Sequence, residues 1–116
     1  MKRYRLESFT GPAGLHLEDA PIPQPSAGEV LVRVHASSLN FRDLMIANGA
    51  FGPLVPTGTV PLSDGAGEVV SVGPGVQRVA VGDRVCATYN GGWISGERLD
   101  IGMGRGADAE GLLSEY

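Results

Sequence analysis

Polar and apolar side chains alternate along several short segments of this chain, the pattern of half-buried β-strands. Residues 2–6 and 15–18 alternate in this way, and the Gly-Pro-Ala-Gly sequence at residues 11–14 between them is a turn signal. We expect these two segments to pair as a hairpin. Residues 30–36 form the strongest predicted strand, and one face of it is predicted to enter the core: Val30, Val32, Val34 and Ala36.

A second β-rich stretch covers residues 60–85 and organises the rest of the chain. It contains an apolar strand, a Gly-Pro-Gly turn at residues 73–75, and a Val-Gly-Asp turn that leads into another strand over residues 84–89. Gly65 and Gly67 lie next to the β-branched run. Because a glycine inside a strand otherwise costs stability, the pair indicates a bend or the close approach of another group.

One segment has helical spacing instead. Leu44, Met45 and Ala47 recur with the period of an α-helix. Asn40 is a candidate N-cap, and Asp43 three residues later approximates a capping box. Residues 48–49, Asn-Gly, supply a left-handed stop. The pattern predicts a short helix of about two turns after Asn40.

The remaining segments are predicted to be irregular. Residues 21–25 carry three prolines and are expected to run extended over the surface. Residues 50–59 form a long loop of the kind that is often functional or mobile. Residues 95–108 show little apolar periodicity and are expected to be mobile or poorly ordered. Residues 112–116 are expected to begin a further strand.

Composition excludes several classes of protein. The 116 residues suffice for one domain, and 42% hydrophobic residues with a formal charge of -4 are ordinary for a globular protein. The chain has no excess of positive charge that would bind the phosphates of a nucleic acid, so nucleic acid is not an expected partner. Neither a signal segment nor an apolar run of about 18 residues is present, so no membrane partner and a cytoplasmic location are predicted.

The inventory of reactive side chains is short. Cys86 is the only cysteine, which excludes an intrachain disulfide and a four-cysteine zinc site. His16 and His35 fall in strand-like runs without metal-binding spacing. The Gly65-Ala66-Gly67 sequence lacks a third glycine and continues into a strand, so a phosphate-binding loop is disfavoured.

Four segments, taken together, resemble one family. Residues 28–34 (GEVLVRV), 40–43 (NFRD), 63–73 (SDGAGEVVSVG) and 81–85 (VGDRV) occur in the order typical of the medium-chain dehydrogenase/reductase superfamily. The resemblance is to its amino-terminal GroES-like domain, in the zinc-independent branch of quinone oxidoreductases. It implies a mainly β fold over residues 1–116, a curved antiparallel β-barrel of GroES type with one short helix.

The resemblance also implies a type of chemistry. Zinc-dependent relatives place a cysteine, a histidine and a glutamate where this chain has Asn40, Ser63 and Asp64. Asparagine and serine are poor zinc ligands, so no metal is expected. The implied function is the substrate-side domain of an NAD(P)H-dependent oxidoreductase, a quinone or enone reductase or an alcohol dehydrogenase-like enzyme.

The same resemblance assigns candidate site residues. Asn40, Phe41 and Arg42 are expected to contact the cofactor, and Asn40 and Asp43 are the catalytic candidates, although a helix cap alone also explains that pair. Phe51 stands where some relatives have a proton-donating tyrosine, which leaves water as the donor. The residues expected to line the substrate pocket are Phe51, Ser63, Asp64, Tyr89 and Trp93; for Tyr89 and Trp93 simple packing is an equal alternative.

In the superfamily a Rossmann domain that carries the dinucleotide follows this domain. Most contacts to NAD(P)H are therefore expected outside this chain, and the expected partners are a small-molecule substrate and either a second copy or a separate Rossmann domain. A free strand edge at residues 112–116, or the loop at residues 51–59, would make the contact between copies. A non-catalytic GroES-like binding or assembly module is the rival interpretation.

Overall fold

The computed structural model describes residues 1–91, 93, 95–97 and 102–116. This part of the chain contains two antiparallel sheets: β1–β2, and β3–β4–β5 in that spatial order. The predicted class, mainly β with one short helix, is confirmed, although the strands form two sheets and not one closed barrel. The elements are β1 (Lys2–Leu6), β2 (Leu15–Asp19), β3 (Val30–Ser38), α1 (Phe41–Ala47), β4 (Asp64–Val72) and β5 (Arg84–Cys86).

The predicted amino-terminal hairpin is confirmed. β1 and β2 pair from Lys2 opposite Asp19 to Leu6 opposite Leu15, and the turn signal between them folds as a short 3-10 helix at Gly11–Gly14. Oppositely charged side chains pair across the ladder, where Arg3 Nε donates to Glu18 Oε1 at 2.6 Å. Cross-strand pairing of this kind fixes the register of β1 against β2.

The glycines of β4 lie where the neighbouring strand comes closest. A Cβ on Gly67 would lie 2.0 Å from the carbonyl oxygen of Arg33 in β3, and a Cβ on Gly65 would lie 3.0 Å from that of Ala36. The expected close approach is thus confirmed. Within the predicted stretch 60–85, β4 begins only at Asp64, and β5 covers only three residues of the strand predicted over residues 84–89.

The core does not lie where the valine pattern predicts it. Val30, Val32 and Val34 are only half-buried and Ala36 is exposed, so the prediction of a buried valine face is wrong. The β3–β4 register shifts twice: the first shift passes over Val70 of β4, and the second passes over His35 of β3 and so interrupts the alternation of β3 before Ala36. The buried cluster instead joins β1, α1 and two loops: Leu6, Ile46, Ala47, Val55 and Ala107, with Phe9, Leu15, Phe51 and Met103 packed against it.

Two further predictions need correction. Of the segment 95–108, residues 98–101 lie outside the described residues, but Ala107 is fully buried in the core, so a poorly ordered segment is the wrong description of that part. The expected free edge at residues 112–116 is also contradicted. Tyr4 N–H donates to Leu113 O and Val34 N–H donates to Glu115 O, both at 2.9 Å, so this segment joins the two sheets.

The loop at residues 50–59 is partly packed. It contains a 3-10 helix at Gly52–Leu54, and Val55 is buried. Thr59 Oγ1 lies within hydrogen-bond distance of two carbonyls, 2.8 Å from Pro56 O and 2.9 Å from Ala107 O. The loop is therefore tied to the segment that follows residue 102. Among the described residues, no helix is both long and apolar enough to cross a membrane.

Candidate active site

The helix that carries the predicted site residues begins as its cap signals indicate. Asn40 is the N-cap of α1 and forms a capping box with Asp43. The backbone N–H of Asn40 donates to Asp43 Oδ2 at 2.8 Å. At the other end, Asn48 is the C-cap and Gly49 has a φ of 75°, the left-handed stop that was predicted. The helix start and its orientation are thus set by local hydrogen bonds.

Three predicted site residues meet at one carboxylate oxygen. Asn40 Nδ2 donates to Asp64 Oδ2 at 2.7 Å, and Ser63 Oγ donates to the same oxygen at 2.6 Å. Ser63 is buried, Asp64 is half-buried and Asn40 is exposed. We call these residues the Asp64 cluster. The cluster places a negative charge, held by two donors, at the surface end of α1.

Asp43 has a different environment from Asp64. Its side chain is buried, and its Oδ1 atom has no hydrogen-bond partner among the described residues. Burial raises the pKa of Asp43, while the N–H of Asn40 and the charge of Arg42 oppose that rise. Asn40 therefore touches both carboxyl groups, one through its backbone and one through its side chain.

Arg42 makes contacts that the sequence did not indicate. Its Nη1 atom donates to Arg105 O at 3.0 Å, and its Nη2 atom donates to Met103 O at 2.7 Å. The guanidinium carbon lies 4.9 Å from the centre of the Tyr89 ring, and Tyr89 Oη donates to Met103 O. Arg42 thus ties α1 to the loop at residues 103–105. Its predicted contact with a cofactor stays a prediction.

The remaining predicted residues, which are all aromatic, lie outside the Asp64 cluster. Phe41 is 76% exposed and Trp93 is 49% exposed. Phe51 packs against the core, and none of its described contacts joins it to the Asp64 cluster. Leu39, which was not predicted as a site residue, is 81% exposed beside Asn40. Exposed apolar side chains on both sides of a capping residue are the signal that could have identified it.

The donor set does not suit zinc. Within the described ranges, no group of three or more His, Cys, Asp and Glu side chains could hold a metal ion. The Asp64 cluster offers one carboxylate, and the Oδ2 atom of that carboxylate already accepts two hydrogen bonds. Structural and catalytic zinc sites use three or four strong ligands, which an amide and a hydroxyl do not replace.

Replacing Asn40 with alanine should lower the free energy of unfolding by about 1 kcal/mol, the usual cost of a lost N-cap, with any loss beyond that due to the hydrogen bond to Asp64. Urea unfolding followed by circular dichroism measures the change. Asn40→Asp is the matched control, because aspartate is an equally good N-cap but places a like charge beside Asp64.

The two variants separate the two roles of Asn40. Equal losses in Asn40→Ala and Asn40→Asp would assign the stability to the contact with Asp64. A loss in the alanine variant alone would assign it to the cap, and no loss in either variant would contradict both roles.

Comparison with known proteins identifies the domain. The sequence profile of the alcohol dehydrogenase GroES-like domain matches residues 26–116. The chain is 40% identical over 90 residues to a chloroplastic quinone-oxidoreductase of Triphysaria versicolor, covering 73% of this chain and 27% of that protein. It is 33% identical over 113 residues to a zinc-type alcohol dehydrogenase-like protein of Schizosaccharomyces pombe, covering 95% of this chain and 33% of that protein.

Solved structures show the same likeness. A thermostable alcohol dehydrogenase from Pyrobaculum aerophilum matches 99% of this chain at 30% identity, with a TM-score of 0.83 over 37% of its own length. An NAD-dependent alcohol dehydrogenase matches 99% at 31% identity, again with a TM-score of 0.83, over 36% of its length. This chain therefore spans about a third of the length of the solved relatives it matches.

Proposed function

This chain belongs to the alcohol dehydrogenase GroES-like domain family of the medium-chain dehydrogenases/reductases, and on that premise we propose that it is the substrate-side domain of a zinc-independent, NAD(P)H-dependent oxidoreductase. The proposed substrates are quinones or enones, with alcohol dehydrogenase-like chemistry as the wider class. Support comes from the quinone oxidoreductase among its relatives and from the contacts around Asp64.

One observation carries the proposal. Asn40 and Ser63 both donate to Asp64 Oδ2, at 2.7 and 2.6 Å. These are the positions where the resemblance places a cysteine and a histidine in zinc-dependent relatives. A carboxylate that accepts two short hydrogen bonds is stabilised without a metal ion. At the three positions that bind zinc in those relatives, this chain therefore has side chains that bind one another through hydrogen bonds.

The free amide proton of Asn40 supplies the proposed substrate contact. A side-chain amide has two N–H donors, and one of them is used by Asp64. Because Asn40 is exposed, the second donor is available to a carbonyl oxygen of a quinone or an enone. A fixed donor aimed at an oxygen that gains negative charge stabilises the transition state for reduction. Asn40 then orients and polarises the substrate.

The exposed apolar side chains next to Asn40 suit a flat ring. Leu39 and Phe41, at 81% and 76% exposure, offer an apolar surface beside the free amide donor. NAD(P)H, when bound, supplies the hydride. Most of its contacts are proposed to lie on residues outside this chain, with Asn40 and Phe41 contributing from this side. Arg42 contributes indirectly, since its donors hold the loop at residues 103–105.

Binding of a quinone tests the proposal. Tetramethyl-p-benzoquinone is the probe, because its ring positions are all substituted and the exposed thiol of Cys86 cannot add to them. We expect its titration into the chain to shift the amide signals of residues 39–41 and 63–64 in a nitrogen–proton NMR spectrum. Asn40→Ala should abolish these shifts, and the exposed surface variant Arg78→Ala should keep them.

The outcomes separate the proposal from its rival. Shifts confined to other residues, or shifts unchanged in Asn40→Ala, would contradict a substrate site at the Asp64 cluster and favour a binding or assembly module. Oxidation of NADPH by this chain alone would contradict the placement of most cofactor contacts elsewhere. A cytoplasmic location and self-association stay predictions, and light scattering over a dilution series measures the second.

Zinc content gives a separate prediction. Protein produced in zinc-supplemented medium and purified without chelator should hold far less than one zinc per chain by elemental analysis. The double variant Asn40→Cys/Ser63→His is the positive control, because cysteine, histidine and Asp64 together make a three-ligand site with room for water. One tightly held zinc per wild-type chain would overturn zinc independence, whatever the result with the double variant.

A further inference from the structure

Leu62 has an unusual backbone conformation directly before the Asp64 cluster. Its φ is 74°, and it is the only residue other than glycine in the described ranges with a positive φ. Leucine is disfavoured there, because its Cβ crowds the following carbonyl oxygen. Leu62 is also buried, at 3% exposure. A conformation of this kind persists only where the surrounding structure imposes it.

Contacts with residues 111–113 hold Leu62 in this left-handed conformation. The carbonyl oxygens of residues 60–62 accept hydrogen bonds from the amides of residues 111–113 at 2.8 to 3.1 Å. Two glycines allow this contact. A Cβ on Gly106 would lie 2.7 Å from Leu62 N, and a Cβ on Gly111 would lie 2.4 Å from Leu62 O. The backbone of Leu62 is therefore held on two sides.

The left-handed φ of Leu62 sets the direction in which the chain leaves residues 60–62 and enters the Asp64 cluster. Successive side chains of a strand point to opposite faces. Ser63 Oγ nevertheless lies 2.6 Å from Asp64 Oδ2, although the two residues are neighbours in sequence. Ser63 falls in a bend, and β4 begins only at Asp64. The bend at Ser63 brings these two side chains together, and the left-handed backbone of Leu62 directs the pair as a unit away from the segment that residues 111–113 hold.

We propose that Leu62 is a positioning residue whose backbone, held by residues 106 and 111–113, directs Ser63 and Asp64 to Asn40. The inference rests on the proposed function only in treating the Asp64 cluster as the site. The side chain of Leu62 packs in the interior, but the geometry of the cluster depends on the backbone angle. Glycine at position 62 should therefore preserve the cluster better than a larger residue that resists a positive φ.

The side-chain amide of Asn40 provides the readout. Its proton that binds Asp64 should resonate apart from its free partner, and Asn40→Ala assigns the pair of signals by removing it. Asp64→Ala gives the reference spectrum without the acceptor. We compare Leu62→Gly, Leu62→Ala and Leu62→Val at a temperature at which each variant retains the circular dichroism spectrum of the folded wild type.

We expect Leu62→Gly to keep the wild-type signals, Leu62→Ala to move partway to the Asp64→Ala reference, and Leu62→Val to reach it. Packing alone predicts the reverse order, with valine closest to wild type and glycine furthest. If the valine variant does not fold, the order of alanine and glycine decides. The reverse order would overturn the proposal. Failure of quinone binding would leave this result unaffected, so the two proposals fail separately.

Discussion

Replacing Gly67 with alanine should destabilise the domain by about 3 kcal/mol or more, at the upper end of what overpacking costs. The added Cβ would lie 2.0 Å from the carbonyl oxygen of Arg33 and 2.8 Å from a methyl group of Val32. The carbonyl belongs to the paired strand β3 and cannot rotate away as a flexible side chain would. β3 and β4 would have to separate, which would break hydrogen bonds of the β3–β4–β5 sheet.

Gly91→Ala is the matched control for Gly67→Ala. Gly91 does not have a positive φ, and the nearest atom to an added Cβ is the flexible end of Arg105 at 3.4 Å. We expect this variant to stay within about 0.5 kcal/mol of wild type, because substitutions away from special features seldom change stability further. Urea unfolding of both variants measures the difference. Similar midpoints would show that the approach of β3 to β4 at Gly67 is not essential.

Replacing Arg42 with alanine should cost about 2–3 kcal/mol. The variant loses two charge-assisted hydrogen bonds to the carbonyls of Met103 and Arg105, each worth about 1.5 kcal/mol or more when buried and less where water reaches it. It also loses the stacking of the guanidinium on the Tyr89 ring, worth about 0.5–1 kcal/mol at partly exposed sites. The loop at residues 103–105 would lose these two hydrogen bonds to α1 and keep only its packing through Met103.

Hydrogen exchange locates the effect of Arg42→Ala within the fold. The amide of Arg105, which donates to Tyr89 O at 3.1 Å, should exchange faster, whereas the amide of Tyr4 in β1 should exchange at a rate set by global stability. Arg42→Lys should recover only part of the loss, since an ammonium group lacks the planar fork that reaches both carbonyls.

An exposed arginine provides the control for Arg42→Ala. Arg78→Ala removes an exposed arginine and should change the free energy of unfolding by less than about 0.5 kcal/mol. If Arg42→Ala changed the free energy of unfolding as little as Arg78→Ala does, the contacts of Arg42 with the two carbonyls would contribute little to stability. Arg42 could then leave them to contact a cofactor, as the family resemblance implies. A large loss would mean that Arg42 serves the fold first.

The features that were predicted correctly depend on neighbouring residues. The N-cap at Asn40, its partner Asp43 and the stop at Gly49 act within one turn of α1, so each can be recognised in a short window. The hairpin of β1 and β2 follows from two alternating segments and a turn. Gly67 was recognised for the same reason, since a glycine among β-branched residues indicates a crowded backbone wherever its neighbour lies.

The candidate site was predicted only in part. The resemblance placed Asn40, Ser63 and Asp64 together, and the structure joins them at one oxygen atom. It did not indicate that Arg42 binds the carbonyls of Met103 and Arg105, because those contacts join residues 61 and 63 positions apart. No local pattern distinguishes an arginine that binds a distant carbonyl from one that binds a ligand.

Local patterns in the sequence were enough to predict the hairpin, the short helix and its caps, because periodicity and capping involve residues only a few positions apart. The position of the core and the contacts that hold the site depend on residues far apart in the sequence, which local patterns do not reveal. The valines of β3 are only half-buried, whereas Ala107, in a segment without apolar periodicity, is fully buried in the core cluster. The left-handed backbone of Leu62 likewise depends on residues 106 and 111–113, because a strained conformation persists only when distant contacts hold it.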